Sequence, residues 1–287
     1  DIERLAPLLH ESSPAVIRGG WGPERCRNGG SGLAAVYAIA AVAGLYGVRG
    51  GGLTASLSRA LPLSKEDTIG AQQDSSLRQV SLNQVGRALC GDESVLDGGP
   101  VPGFAFIYNC NAVSTLPNRN AVIRGLRRDD LFTVVFEQVQ TDTTYYADII
   151  LPATTFFEHD EIVSGYGATF LAHARAVMDP LAEARPNGAV FNDLIQALGL
   201  AQDGDAATED DLARSILAET ALSPGQREKL ARSSGTVPVF ELENGRASMP
   251  FVDHFPCTPD RKMHLFPAEL DAEAKARAAE TGLPGGL

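Results

Sequence analysis

Asn109-Cys110-Asn111-Ala112 follows the apolar run at 104–108, and Glu137-Gln138 follows a second apolar run at 132–136. Continuous apolar runs of that length read as strands covered on both faces. Both polar groups therefore fall at strand ends, where open α/β sheets bind their ligands. An Asn amide both donates to and accepts from a base or a ribose. A carboxylate at Glu137 can accept two N–H bonds from a guanine edge, a donor pattern that adenine lacks. Each group also has a plain reading taken alone. Asn109-Cys110-Asn111 suits an Asx-type turn, and Glu137 suits a solvated loop acid.

Gly20-Trp21-Gly22 sits between a short β-type run and a helix, the place of a phosphate-binding turn. Glycines there let a backbone N–H approach a ligand oxygen with no Cβ in the way. Yet position 25 is Arg, not the third glycine of a dinucleotide fingerprint. Further on, Ala38-Ile39-Ala40-Ala41 offers no acid for a ribose. A nicotinamide site is not supported, and a tight turn remains the plain alternative.

Glu158-His159-Asp160-Glu161 concentrates ligand-type residues, but adjacent side chains rarely converge on one ion and no second His lies four positions on. No metal site is expected in this chain. No Gly-x-Ser-x-Gly or His-Glu-x-x-His is present, so nucleophilic and zincin hydrolases are unsupported. His173 and His264 are expected as hydrogen-bonded surface residues. Cys26, Cys90, Cys110 and Cys257 form no Cys-x-x-Cys pair, which argues against zinc, iron–sulfur or disulfide frameworks within the chain. Scattered thiols suit a reducing compartment.

The elements that must position these groups follow from hydrophobic spacing. Helices are expected at 2–10, 32–46, 81–90, 118–126 and 190–198, and β-type runs at 14–18, 104–108, 132–136 and 148–151. Gly50-Gly51-Gly52 ends the first βα unit, and 53–77 reads as a polar surface excursion. Beyond Leu200, an acidic loop at 201–211 leads to helices at 212–219 and 224–232. Short β-like pieces at 237–270 and a solvated helix at 271–280 complete the chain. The expected class is α/β, a Rossmann-like three-layer α/β/α arrangement with a mostly parallel sheet and a small irregular C-terminal extension. The segments are 1–52, a βα unit with Gly-rich turns; 78–200, a dinucleotide-binding-like core; and 201–287, linker with short helices and strands.

The chain has 287 residues, with 24 Lys+Arg against 36 Asp+Glu and a net charge of −12. That balance argues against nucleic acid or an anionic membrane as partner. Apolar residues at 44% and charged residues at 21% are those of a globular chain, not a disordered one. No apolar run reaches the roughly 18 residues needed to span a bilayer. Asp in first position suggests a piece of something longer.

Read in order, several segments resemble one family, the molybdopterin-guanine-dinucleotide oxidoreductases of the dimethyl sulfoxide reductase superfamily, with formate dehydrogenases and nitrate reductases. They are Trp21-Gly22 with Arg25 and Asn28-Gly29, then Ala43-Gly44-Leu45-Tyr46-Gly47 leading to Gly50-Gly51-Gly52. Tyr108-Asn109-Cys110-Asn111-Ala112 and Pro117-Asn118 come next. Val135-Phe136-Glu137, Thr141-Asp142-Thr143 and Ala147-Asp148-Ile149-Ile150-Leu151-Pro152-Ala153 with Glu158 carry most of the likeness. Glu183-Ala184-Arg185-Pro186-Asn187 continues it, and Arg261-Lys262-Met263-His264-Leu265 looks like the family's late strand. Two departures stand out: Arg25 and Cys26 replace the family's usual Gln and His, and Ala112 replaces its usual Pro.

The resemblance implies cofactor contacts at Trp21, Gly22 and Arg25 toward a pterin or its phosphates. It implies a nucleotide contact at Asn111, a guanosine-facing pair at Phe136 and Glu137, and more distal contacts at His159 and Asn187. It implies no catalytic residue and no metal ligand in this chain. The cofactor implied is molybdopterin guanine dinucleotide with molybdenum or tungsten (the bis-MGD form), and an iron–sulfur cluster would lie upstream. Partners implied are the remainder of the chain's own catalytic subunit and an electron-transfer subunit, with no nucleic acid and no membrane insertion. The cytoplasm is expected ahead of the periplasm, any export signal lying upstream. The competing expectation is a stand-alone α/β nucleotide-binding protein without redox activity.

Overall fold

A computed structural model of the chain describes residues 2–23, 29–54, 77–164, 170–220, 222–232, 235–238 and 248–281. The chain divides into two compact units: Asp1–Pro62 with Ser164–Leu171 and Thr236–Leu287, and Leu63–Val163 with Ala172–Gly235.

The first unit opens with α1 (Ile2–Glu11), β1 (Val16–Arg18), α2 (Gly29–Val42) and β2 (Gly52–Thr54). β1 and β2 run parallel, with Val16 opposite Gly52 and Arg18 opposite Thr54. The helix expected at 32–46 starts earlier and ends at Val42. The chain then turns through Gly44 and Gly47, both at positive φ. Leu53 and Thr54 belong to β2 and not to the polar excursion, whose remainder at 55–76 lies outside the described residues.

The second unit carries α3 (Val85–Leu89), α4 (Glu93–Leu96), β3 (Phe104–Tyr108), α5 (Ala112–Thr115), α6 (Arg119–Leu126), β4 (Phe132–Glu137) and β5 (Ile149–Pro152). The expected helix at 81–90 is a 3-10 turn at Leu82–Gln84 followed by α3. β3, β4 and β5 form a parallel sheet in that order, with Tyr108 opposite Phe136 and Glu137 opposite Pro152.

Side-chain alternation along β3 puts helices on both faces of this sheet. Ala105 and Ile107 pack with Leu89, Val113, Val122 and Leu126 of α3, α5 and α6. Phe106 turns the other way, toward Phe136 and toward Val190 and Phe191 of a later helix. Strands covered on both faces explain the unbroken apolar runs. The α3–α6 contact is close because Gly86 and Gly125 stand in it: a Cβ on Gly125 would lie 2.3 Å from the Leu89 Cβ.

β6 (Glu161–Ser164) and β7 (Phe170–Ala174) follow, and the division between the units runs along them. No strand is expected from the sequence at 161–164, whereas the surroundings of His173 read as β-like or loop. Next are α7 (Asn187–Ala197), α8 (Glu209–Glu219) and α9 (Pro224–Arg232). α8 takes in 209–211, which had been expected as loop, because Thr208 and Asp211 form a reciprocal capping box at its start.

The chain ends with β8 (Thr236–Pro238) and α10 (Ala268–Thr281). Between them, the β-like character expected over 237–270 is limited, among the described residues, to β8 and one isolated bridge from Pro250 to His254. Arg261-Lys262-Met263-His264-Leu265 is irregular and not a strand. Asp260 accepts from the Lys262 N–H, Thr258 Oγ1 donates to the Lys262 carbonyl, and Arg261 has a positive φ. Among the described residues, no helix is long and apolar enough to cross a membrane.

Candidate functional site

Because β3, β4 and β5 are parallel, their C-terminal ends lie along one edge, and each leads into a polar loop. Asn109 and Asn111 follow β3. Glu137 closes β4 and Gln138 follows it. Thr154 and His159 follow β5. Cross-loop hydrogen bonds tie these loops together.

The Thr141-Asp142-Thr143 stretch packs on the loop after β3. Thr143 Oγ1 donates to Asn111 Oδ1 at 2.8 Å and accepts from the Val113 N–H at 3.1 Å. Ser114 Oγ donates to Asp142 at 2.5 Å. On the other side, the Ala153 N–H donates to the Glu137 carbonyl at 3.0 Å, and Gln138 Nε2 donates to the Thr154 carbonyl at 3.0 Å. Thr154 Oγ1 lies 2.9 Å from His159 Nδ1. The 183–187 segment runs beside the end of β5: the Arg185 N–H donates to Pro152 and the Thr154 N–H to Arg185. Asn187 begins α7 two residues later, exposed. Asn111, Glu137, His159 and Asn187 are thus carried by mutually bonded segments of one sheet edge.

Phe136 differs from its expected orientation. Its ring is 1% exposed, packed on Ala153 and Val190 and edge-on to Phe191. The ring faces the core and the backbone is paired with β3 and β5, so residue 136 offers almost no surface to a ligand. Glu137 is half-buried and its Oε1 accepts from the Gln138 N–H at 2.9 Å, which leaves Oε2 and one lone pair of Oε1 for a ligand.

Trp21 and Gly22 belong to the first unit, just past β1. The Trp21 ring is 46% exposed, and a Cβ on Gly20 or Gly22 would meet nothing within 4 Å. Packing therefore does not account for these glycines. Arg25 lies outside the described residues.

The acidic stretch at 158–161 disperses. Glu158, only 7% exposed, accepts from the Thr155 N–H and hydroxyl and from the Leu181 N–H at 2.7–2.8 Å. The Thr155 N–H, followed by its hydroxyl and the Leu181 N–H, holds the Glu158 carboxyl below the usual carboxylate range. Asp160 binds Arg175 and the Ala176 N–H. Among the described residues no three His, Cys, Asp or Glu side chains converge as a metal site.

His173 is not on the surface, contrary to the expectation: it is 3% exposed, its Nδ1 lies 2.9 Å from the Leu230 carbonyl, and among the described residues its Nε2 has no hydrogen-bond partner. His264 is exposed and bonded to Asp260. Thr143 and Thr154 orient site residues, although the sequence reading gave neither a role. The available signal was their place in the loops after β4 and β5.

The family model described as molybdopterin oxidoreductase matches residues 5–197, a span that holds Trp21, Gly22, Arg25, Asn111, Phe136, Glu137, His159 and Asn187. The chain belongs to the molybdopterin oxidoreductase family. It is 33% identical over 222 residues to the probable oxidoreductase YoaE of Bacillus subtilis (strain 168), covering 76% of this chain and 31% of that protein. It is 26% identical over 209 residues to the dimethyl sulfoxide/trimethylamine N-oxide reductase of Cereibacter sphaeroides, covering 64% of this chain and 25% of that protein. Acetylene hydratase from Pelobacter acetylenicus is a structural neighbour at 20% identity with a TM-score of 0.47, covering 66% of this chain and 24% of that one. The chain spans about a third of the length of the first two curated relatives it matches, 31% in each. α8, α9, β8 and α10 lie beyond the family match.

Proposed function

We propose that this chain is the central cofactor-binding segment of a molybdenum or tungsten oxidoreductase, holding the guanine dinucleotide part of molybdopterin in its bis-MGD form. It supplies no metal ligand and is inactive alone. One observation carries the reading: the edge of the β3–β4–β5 sheet gathers amide donors, a carboxylate and an imidazole on hydrogen-bonded loops within the family match. Open α/β sheets bind nucleotides at that edge.

The donor set fits the group. The Glu137 carboxylate accepts from the two N–H positions of a guanine edge, and Asn111 donates to an oxygen of the nucleotide. Phe136, buried behind Glu137 on Ala153 and Val190, supports this edge from the core. His159, tethered through Nδ1, presents Nε2, and Asn187 bonds from the start of α7. Trp21, Gly22 and Arg25 hold the pterin side. When bound, the cofactor supplies the redox chemistry, and the chain contributes position and electrostatics. The partners are the remainder of the catalytic subunit, with its upstream iron–sulfur cluster, and an electron-transfer subunit in the cytoplasm.

Titration calorimetry with GDP and ADP tests this reading. GDP should bind at least about tenfold more tightly, a difference of about 1.4 kcal/mol. Equal affinities would sink the guanine assignment and leave a generic nucleotide-binding α/β protein.

A further inference from the structure

Two loops of the site meet at one buried hydroxyl. Thr143 is 0% exposed, and its Oγ1 has two neighbours, the Val113 N–H at 3.1 Å and the Asn111 carboxamide at 2.8 Å. A hydroxyl offers one proton and two lone pairs. Val113 is a backbone donor, so it takes a lone pair and cannot take the proton. The remaining neighbour must accept that proton, and only the carbonyl end of the Asn111 amide can do so. With the amide turned over, the Thr143 proton would be buried with no acceptor, a state that folded chains avoid.

The backbone at Asn111 is fixed as well. Its carbonyl accepts from the Ser114 N–H at 3.0 Å, and from the Thr115 N–H and hydroxyl, each at 2.9 Å. Among the described residues, no protein group accepts from Asn111 Nδ2.

We propose that Thr143 is a positioning residue that turns the Asn111 carbonyl oxygen inward, so that the two N–H donors of Nδ2 face the ligand at the end of β3. The site then selects, at that point, a group that only accepts hydrogen bonds: a phosphate oxygen or a base carbonyl oxygen. The ligand part rests on the nucleotide-binding reading above, whereas the orientation stands on the hydroxyl's own bonding.

The test is nuclear magnetic resonance on the isotope-labelled full chain, with the Asn111 side-chain NH2 pair assigned by its loss in Asn111→Asp. In the ligand-free chain that pair should exchange with solvent as fast as an unbonded carboxamide, while the Thr143 hydroxyl proton, held on Asn111 Oδ1, exchanges slowly. It should shift on titration with inorganic pyrophosphate if the acceptor is a phosphate, and with GDP alone if it is the base carbonyl. Thr143→Val should weaken binding of the active probe by about three- to tenfold, and Thr143→Ser should restore it. A merely structural role would lower thermal stability without this hydroxyl-dependent rescue. Slow solvent exchange of the NH2 pair in the free chain, as a hydrogen bond from Nδ2 to Thr143 would give, would overturn the proposal. If the orientation is found but neither probe binds, the positioning role stands and the guanine-nucleotide reading falls.

Discussion

Gly125 of α6 faces Leu89 of α3 at a distance that leaves no room for a methyl group: a Cβ there would stand 2.3 Å from the Leu89 Cβ and 3.2 Å from its carbonyl carbon. Leu89 lies in the cluster beneath β3 that also holds Val113, Val122 and Leu126. The backbone of α3 cannot yield as the tip of a flexible side chain could. Gly125→Ala should therefore force the helices apart and cost about 1–3 kcal/mol, seen as a lowered urea midpoint. Gly103→Ala, whose added Cβ would lie 3.8 Å from the nearest contact, the Asp130 carbonyl, should change little.

Thr133 and Asp148 hold β4 and β5 together at their start. The Thr133 N–H donates to Asp148 Oδ2 at 2.7 Å, and the Asp148 N–H donates to the Thr133 carbonyl at 2.8 Å. Removing the carboxylate in Asp148→Ala orphans a buried N–H and should cost about 1–3 kcal/mol. The Thr133 hydroxyl is itself buried with no hydrogen-bond partner among the described residues. Thr133→Val replaces it with a methyl of similar volume and should be neutral or slightly stabilising. A large loss in Thr133→Val would mean that the hydroxyl has a partner this arrangement does not account for.

Glu158 gives the chain an acid-sensitive tie between the loop after β5 and Leu181. Its folded carboxyl titrates below the ordinary value, chiefly through the Thr155 N–H. A depressed folded value means that the contribution is complete above the unfolded value, near 4.5, and is lost as pH falls through the folded one. Glu158→Gln keeps the shape but not the charge. It should lower the melting temperature at pH 7 and narrow its gap to the parent as pH falls from 5 toward 3. A gap that stays constant across that range would exclude the ionised carboxylate as the source.

The sheet was legible because parallel strands buried on both faces leave continuous apolar runs, as at 104–108 and 132–136. β7 was not, because His173 interrupts its apolar pattern. That histidine is buried only because the Leu230 carbonyl, 57 positions away, meets its Nδ1. Conversely, 261–265 has the look of a strand but is irregular, with Asp260 and Thr258 bonded to the Lys262 backbone, an interaction between side chain and backbone that periodicity does not register. Asn111 and Glu137 stood out because strand ends can be read from the runs before them. Thr143 did not, since its partner Asn111 lies 32 positions upstream on another loop. The inward turn of Phe136 was likewise hidden, because alternation within a strand buried on both faces does not say which face meets a ligand.

Glu137 offers the sharpest test of ligand chemistry at this edge. Among the described residues its carboxylate bonds only the adjacent Gln138 N–H, so its substitution should leave stability nearly unchanged. A guanine edge presents two donors, and only a carboxylate meets both as an acceptor. Glu137→Gln keeps one acceptor and sets an N–H against the second donor. GDP affinity should fall by about 10- to 100-fold, or roughly 1.4–2.7 kcal/mol, while ADP affinity stays as it was. Glu137→Asp, which keeps the charge on a shorter arm, should lose less. Calorimetry on the three proteins decides the matter: if Glu137→Gln binds GDP as the parent does, the carboxylate does not read the base, and guanine selectivity must come from elsewhere on the edge.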